Sequence, residues 1–74
     1  MVELVKFMVK SLVDNKESVE VTLADEETIN VKVDKEDLGK VIGKDGRIAK
    51  AIRTIVRAAA NKQQVKYNVV ILEE

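Results

Sequence analysis

Two glycines separated by two polar residues form the segment of this chain with the clearest chemical potential. Gly43 and Gly46 bracket Lys44 and Asp45, and apolar residues lie close outside each end. Because glycine has no Cβ and adopts positive φ readily, such a turn lets another molecule come close to the backbone. A helix that follows the turn offers unpaired N–H groups and a positive dipole end, which favour a phosphate. The spacing therefore predicts a grip on a nucleic-acid backbone.

The charge of the chain is unevenly distributed around this turn. The formal net charge is zero, yet residues 40–66 carry eight Lys or Arg residues and one acid, Asp45, for a net charge of +7. The remaining residues carry a net charge of −7. A basic segment of this kind favours a polyanionic partner. A solvated helix face rich in Lys and Arg would have the same composition.

The residue types that are missing exclude several function classes. The chain has no Cys and no His, so a disulfide framework and a Cys- or His-based metal site are not expected. Gly39 and Gly43 are one residue too close for a P-loop, and Asp45 stands where a P-loop has Ser or Thr. The GxGxxG pattern of a dinucleotide-binding turn is absent. The sequence predicts a protein that is not an enzyme and has no cofactor and no metal ion.

The length of the chain and its first residues indicate its domain organisation and its cellular location. The 74 residues are expected to form one domain, residues 1–74, with a small core. Glu3, Lys6 and Lys10 interrupt the start, and no apolar run approaches the ~20 residues of a membrane span. A soluble, cytoplasmic protein is therefore expected.

Apolar periodicity predicts the elements that precede the glycine turn. Residues 2–13 have helical spacing, whereas residues 18–24 and 28–33 alternate as strands do. Residues 25–27 are expected to form the hairpin turn between these strands. The strand residues expected to share the inner face are Val19, Val21, Leu23, Ile29, Val31 and Val33.

Two helices are predicted to flank the glycine turn. Asp34 is a suitable N-cap and Asp37 stands where a capping box has its acid, so a short helix is expected to run from about residue 35 to Gly43. A second helix is expected over residues 47–61. It would place Ile48, Ile52, Ile55, Val56 and Ala59 on one side and Arg47, Lys50, Arg53 and Arg57 on the other.

The last element completes the predicted fold. Residues 65–72 are rich in β-branched side chains and indicate a largely buried strand. The resulting order, α-β-β-α-α-β, predicts an α+β fold in which helices cover one face of a three-stranded sheet.

Residues 41–48 resemble the signature of the KH domain, a Val-Ile-Gly-x-x-Gly run that joins two helices. Val41, Ile42, Gly43 and Gly46 match it, and Ile48 supplies the trailing apolar residue one place early. The predicted element order is similar to the bacterial type II arrangement, and the resemblance covers residues 1–74. The length and the run GKDGRIAKAIRTIV further resemble the KhpA family of small bacterial RNA-binding proteins.

The resemblance implies an RNA-binding function. KH domains hold about four nucleotides of a single strand against the GxxG loop. Members of the family are regarded as RNA chaperones that pair with a larger KH-containing protein (KhpB, also called Jag) and influence cell elongation and envelope homeostasis. Bases would lie between the helix side of a groove and strand residues such as Val31 and Val33. The residues expected to bind RNA are Val41, Ile42, Gly43, Lys44, Asp45, Gly46, Arg47, Ile48 and Lys50.

Two residue-level interpretations stay open at this point. Asp45 is interpreted preferentially as a cap of the following helix, and alternatively as a charge that repels phosphate. Phe7 and Tyr67 are the chain's aromatic residues, too few for a stacking platform, and Tyr67 is expected in the core or on the sheet surface.

The rival functional hypothesis is a protein-interaction module, with a homodimer as the expected assembly. It rests on Ala49, Ala51 and the run of residues 58–60, since small side chains let helices approach closely. Alanine is also the best helix former, so the same residues are compatible with an ordinary helix.

Overall fold

The computed structural model describes residues 1–72, which form three α-helices and one three-stranded sheet. Three short 3₁₀ turns, at Lys16–Ser18, Lys35–Asp37 and Lys44–Gly46, join these elements. The predicted element order and the α+β class are confirmed. The elements are α1 (Val2–Leu12), β1 (Glu20–Leu23), β2 (Thr28–Lys32), α2 (Leu38–Ile42), α3 (Arg47–Asn61) and β3 (Asn68–Ile71).

The sheet is mixed and has β2 at its centre. β1 pairs antiparallel with β2, and β3 pairs parallel with the other edge of β2. A parallel pair cannot be joined by a tight turn and requires a long crossover. Here α2 and α3 form that crossover, so the glycine turn lies between the two crossover helices.

The hairpin between β1 and β2 is closed by Asp25 rather than by glycine. Its carboxylate accepts hydrogen bonds from the Glu27 N–H at 2.8 Å and the Thr28 hydroxyl at 3.2 Å. The bond from Glu27, followed by that from Thr28, lowers the pKa of Asp25. Such an Asx turn replaces the favoured glycine pair, and the predicted turn is confirmed.

The hydrophobic core lies between the helices and one face of the sheet. Val5 and Val9 of α1 are fully buried, as are Ile29 and Val31 of β2 and Val56 of α3. Buried positions alternate along β2, so its other face is left without cover. The prediction that helices cover one face is confirmed.

Because helices cover only one face of the sheet, the prediction that the last strand is largely buried is wrong. β3 begins only at Asn68, and Val69 is its one buried residue. Val70 points to the uncovered face and is 41% exposed. The β-branched composition indicated a strand correctly but not its edge position. Leu23, predicted to face inward, is likewise exposed because it lies at the end of edge strand β1.

Asp34 is the predicted N-cap, but Asp37 does not complete the predicted capping box. Asp34 accepts a hydrogen bond from the Glu36 N–H at 3.0 Å, as a cap does. The Asp37 carboxylate instead accepts from the N–H groups of Asp14 at 3.3 Å and Asn15 at 3.0 Å. The capping-box role of Asp37 is therefore wrong, because the chain after α1 supplies closer donors. Asp37 is only 3% exposed and joins the end of α1 to the start of α2.

Candidate nucleic-acid interface

The GxxG loop, residues 43–46, has an unusual and well-bonded backbone. Gly43, Asp45 and Gly46 have φ values of 76°, 57° and 73°. The Gly43 N–H donates to the Gly39 carbonyl at 2.8 Å, and the Gly46 N–H donates to the Gly43 carbonyl at 3.2 Å. These bonds end α2 and fold the loop back so that α3 can begin at Arg47.

The two glycines serve different purposes. A Cβ on Gly43 would lie 2.6 Å from Cγ1 of Ile48, so the protein's own side chain uses the space that glycine leaves. A Cβ on Gly46 would have no neighbouring atom of residues 1–72 within 4 Å. Of the two, Gly46 is therefore the glycine that leaves backbone open to a ligand, whereas Gly43 permits packing.

Asp45 does not cap α3, which corrects the preferred interpretation. The N-cap of α3 is Gly46, and no side chain in the described part of the chain makes a cap hydrogen bond there. Asp45 is exposed and lies in the left-handed region, which Asp tolerates better than most residues because its short side chain is polar. The alternative interpretation, a charge that repels phosphate, stays a prediction.

The apolar residues around the loop differ in their access to a ligand. Ile42 and Ile48 are half-buried, but Val41 is 0% exposed and supports the loop from within. Val41 is therefore not available for direct contact. Val31 and Val33, predicted to lie opposite the bases, are also buried, because the helices cover that face of β2.

The basic residues on and near the loop differ in their exposure and in the groups they bond to. Lys44, Arg47 and Lys50 are exposed. Lys40 instead forms an ion pair with Asp14 and lies 3.5 Å from Asp37, so its charge is compensated. The hydrogen bond to Asp14 raises the pKa of Lys40. The guanidinium of Arg53 donates through Nε to the Val69 carbonyl at 3.1 Å, which fastens α3 to β3.

A continuous row of polar side chains extends from the loop along α3. Its members recur at intervals of three and four residues and so share one side of the helix. The row starts beside the GxxG loop and continues to the end of the helix. This polar stripe consists of Arg47, Lys50, Thr54, Arg57 and Asn61.

The sequence interpretation missed an apolar groove between α1 and α3. Ile55 was predicted to face the core but is 48% exposed. The buried side of α3 consists instead of Ala49, Ile52, Val56 and Ala60. The groove has a volume of about 410 Å³. Phe7, which is 72% exposed, stands beside it. The apolar side chains that line it are Phe7, Met8, Leu12, Ile48, Ala51, Ile52 and Ile55.

Residues 1–72 provide neither a membrane-spanning helix nor a metal site of clustered ligands. No helix there is both long enough and apolar enough to cross a membrane. That part of the chain also contains no group of three or more His, Cys, Asp or Glu residues arranged to hold a metal ion.

Comparison with known proteins agrees with the fold. A family model described as the KH domain of KhpA and KhpB matches residues 2–71. The chain is 56% identical to the RNA-binding protein KhpA of Clostridium perfringens, over 97% of this chain and 100% of the relative. It is 52% identical to the protein of that name from Caldanaerobacter subterraneus, over 95% of this chain and 97% of the relative. It is 47% identical to the RNA-binding protein KhpA of Listeria monocytogenes, over 99% of this chain and 100% of the relative. No solved structure is significantly similar to the chain.

Proposed function

The chain belongs to the KhpA/KhpB family of KH domains, and from this premise we propose that it binds single-stranded RNA through its GxxG loop and the start of α3. The observation that carries the proposal is the placement of Gly46, whose Cβ position borders open space, between exposed Lys44 and exposed Arg47. Relatives that match over nearly their whole length are named for RNA binding.

The local electrostatics support this proposal. The first turn of α3 contains no acidic residue, and no side chain of residues 1–72 caps its N–H groups. A phosphate placed beside Gly46 would meet these N–H groups and the positive end of the helix dipole. Lys44, Arg47 and Lys50 would add charge around the same point. Ile42 and Ile48 supply the apolar edge of the groove for bases, with Gly43 and Val41 holding that edge in place.

The finer biological role follows from family likeness. The protein acts as an RNA chaperone or as a subunit of an RNA-binding regulatory complex, pairs with a larger KH-containing protein of the KhpB (Jag) type, and influences cell elongation and envelope homeostasis. It works in the cytoplasm by binding rather than by catalysis, in agreement with a family whose relatives are named for binding.

Fluorescence anisotropy with a labelled single-stranded RNA at two salt concentrations tests the loop. Lys44→Asp should weaken binding at least tenfold, because the loop then presents two carboxylates to phosphate. Lys35→Asp is the matched control, since Lys35 is exposed and precedes α2. Circular dichroism establishes that both variants are folded. Equal binding by both variants would refute the loop as the RNA clamp.

The apolar groove favours a second function, the formation of a homodimer. The alanines that suggested this from sequence are not a common surface: Ala49 and Ala60 are buried in the core, whereas Ala51 lines the groove. The same surface offers a protruding aromatic ring, Phe7, and an adjacent groove. It also carries charges of both signs. Glu3 lies one helical turn before Phe7, and Arg47 lines the groove.

A surface with these features can pair with a second copy of itself. In a twofold interface every contact between two residues occurs twice, once from each copy. Phe7 of each copy can therefore enter the groove of the other, and Glu3 can approach Arg47. Pairing would also place two GxxG loops on one particle. Two weak sites that engage one RNA strand bind more tightly than either site alone. Arg47 and Ile48 belong both to the groove and to the proposed RNA surface, so a dimer formed through the groove would share these two residues with the RNA site.

A further inference from the structure

We propose that a concavity at the C-terminal end of α3 is a second nucleotide subsite, in which an unpaired base of the bound RNA stacks on Tyr67 while Arg57 and Lys66 contact phosphate. The inference rests on the RNA-binding function proposed above. It extends the binding surface from the GxxG loop to the opposite end of the helix.

The concavity lies between the last turns of α3 and the segment that leads into β3, and its volume is about 680 Å³. Its polar lining consists of two cations, two side-chain amides and two hydroxyls, and none of the described lining residues carries a carboxylate. An anionic ligand with hydrogen-bonding edges is favoured in such surroundings. A nucleotide has both features, a phosphate and a base edge. The polar and aromatic residues that line it are Thr54, Arg57, Asn61, Lys66, Tyr67 and Asn68.

Tyr67 is held in place before any ligand arrives. The side chain is half-buried and packs against the hydrophobic core, and it also lines the concavity. The expectation that Tyr67 belongs to the core or the sheet surface therefore describes only part of its surroundings. Because core packing already restricts the ring, a base that stacks on it meets a preorganised surface and little side-chain freedom is lost on binding.

The backbone after α3 brings the required side chains together. The Val65 N–H donates to the Ala60 carbonyl at 3.2 Å, and Gln64 lies in the left-handed region with φ of 58°. This arrangement ends the helix and turns the chain back along it. Lys66 and Tyr67 consequently lie beside Arg57 although nine or more residues separate them in sequence.

The polar stripe of α3 connects the concavity to the GxxG loop. Arg47 marks the loop end of the stripe, and Thr54, Arg57 and Asn61 belong both to the stripe and to the lining of the concavity. With a rise of about 1.5 Å per residue, Arg47 and Arg57 are about 15 Å apart along the helix. A strand that leaves the loop can follow cations and hydrogen-bonding groups along this distance.

Tyr67 provides a direct probe, because it is the chain's one tyrosine and the chain has no tryptophan. We would titrate the full chain with oligouridine of roughly twelve nucleotides, about three times the length that one KH groove holds. Intrinsic tyrosine emission would be recorded beside the anisotropy of a labelled strand. N-acetyltyrosinamide at the same RNA concentrations corrects for absorption by RNA. Stacking should quench Tyr67 as the strand binds.

Variants distinguish binding at the subsite from an effect of net charge alone. Arg57→Gln combined with Lys66→Gln should weaken binding about tenfold and abolish the quenching, whereas Lys10→Gln combined with Lys35→Gln removes the same charge elsewhere and should leave the quenching intact. Tyr67→Phe should keep the affinity, and Tyr67→Leu should lower it about tenfold. Circular dichroism verifies folding of each variant.

The outcomes distinguish the two proposals. Binding of wild type without a change in Tyr67 emission, or equal affinity of the two double variants, would overturn the subsite and leave the loop function standing. Failure of wild type to bind oligouridine or a mixed-sequence RNA would instead overturn the RNA-binding function, and the subsite with it.

Discussion

At the scale of single residues, the GxxG loop shows how similar residue types acquire different roles. Gly43 has φ of 76° and ψ of 176°, a region that only glycine occupies readily, and its missing Cβ makes room for Ile48. Gly46 has φ of 73° and ψ of 15°, which Asn and Asp also tolerate, and it borders open space. The first glycine is needed for folding of the loop and the second for access to it.

Substitution of each glycine by alanine should separate these roles. Gly43→Ala is expected to lower the free energy of unfolding by about 3 kcal/mol, because backbone strain and a clash with Ile48 add together. Gly46→Ala is expected to lower it by only about 1 kcal/mol. Urea denaturation measures both changes.

A double variant tests whether Ile48 is the clashing partner. In the Gly43→Ala background, Ile48→Ala should be less destabilising than it is in wild type, because it removes the clash as well as the packing. Strictly additive effects would contradict the close approach of Gly43 and Ile48.

Asp45 provides a test of loop electrostatics. Asp45→Asn keeps a residue that tolerates the left-handed region but removes the negative charge that, in the proposed complex, would lie near phosphate. We expect it to raise RNA affinity about two- to fivefold. Glu17→Gln is the control, since it removes one exposed negative charge outside the loop. Anisotropy at low salt measures both, and an increase of the same size for the control would assign the effect to net charge alone.

At the scale of secondary-structure elements, a buried carboxylate joins two helices. Asp37 precedes α2 and accepts the N–H groups of Asp14 and Asn15, which follow α1. Lys40 approaches the same carboxylate from the next turn of the chain at 3.5 Å. The end of α1 is thereby fixed to the helix that leads into the GxxG loop.

This junction predicts the acid sensitivity of the fold. The hydrogen bond from the Asn15 N–H is the main cause that lowers the pKa of Asp37 from its usual 3.8. Because the folded-state pKa is depressed, the stabilisation is fully present above about pH 4 and is lost as the pH falls through the lowered pKa. Asp37→Asn should therefore be less stable than wild type near neutral pH, with the difference shrinking towards about pH 2. Denaturation over a pH series checks this, with Asp14→Asn as the control that leaves the Asp37 carboxylate in place. A constant difference would exclude the role of its charge.

The end of α3 offers a stabilising substitution. Gln64 occupies the left-handed position after the helix where glycine is preferred. Gln64→Gly should raise the free energy of unfolding by about 0.5–1 kcal/mol, since relief of strain exceeds the added freedom of the unfolded chain. Gln63→Gly, next to it and without positive φ, should not stabilise. Thermal unfolding compares them, and stabilisation by both would point to a cause other than backbone conformation.

At the scale of the whole molecule, the exposed apolar surface decides whether two copies associate. Ile55→Glu places a charge in the groove and should abolish dimerisation at high micromolar concentration, because a buried unpaired charge opposes association. Val70→Glu is the control, a similarly exposed apolar residue on the uncovered face of the sheet. Sedimentation velocity measures the mass of each. A monomeric wild type, or dissociation by both variants, would contradict this interface.

The sequence by itself determined the order of elements, the α+β class, the GxxG loop and the basic character of the chain around it. These follow from local signals: periodic apolar residues, the capping Asp34 and a glycine spacing, each of which acts within a few residues. The resemblance of residues 41–48 to the KH signature added the family, and the comparisons agree with it.

Only the tertiary structure decided which side of an element is covered and which residues meet. Ile55 and Val70 are residue types that are common in protein cores, yet they are exposed because the neighbouring elements pack elsewhere. Asp37 bonds to residues more than twenty positions away, and Tyr67 lines the same concavity as Arg57 only because the chain reverses after α3. Such contacts depend on how distant segments pack in space, which local patterns along one chain do not encode.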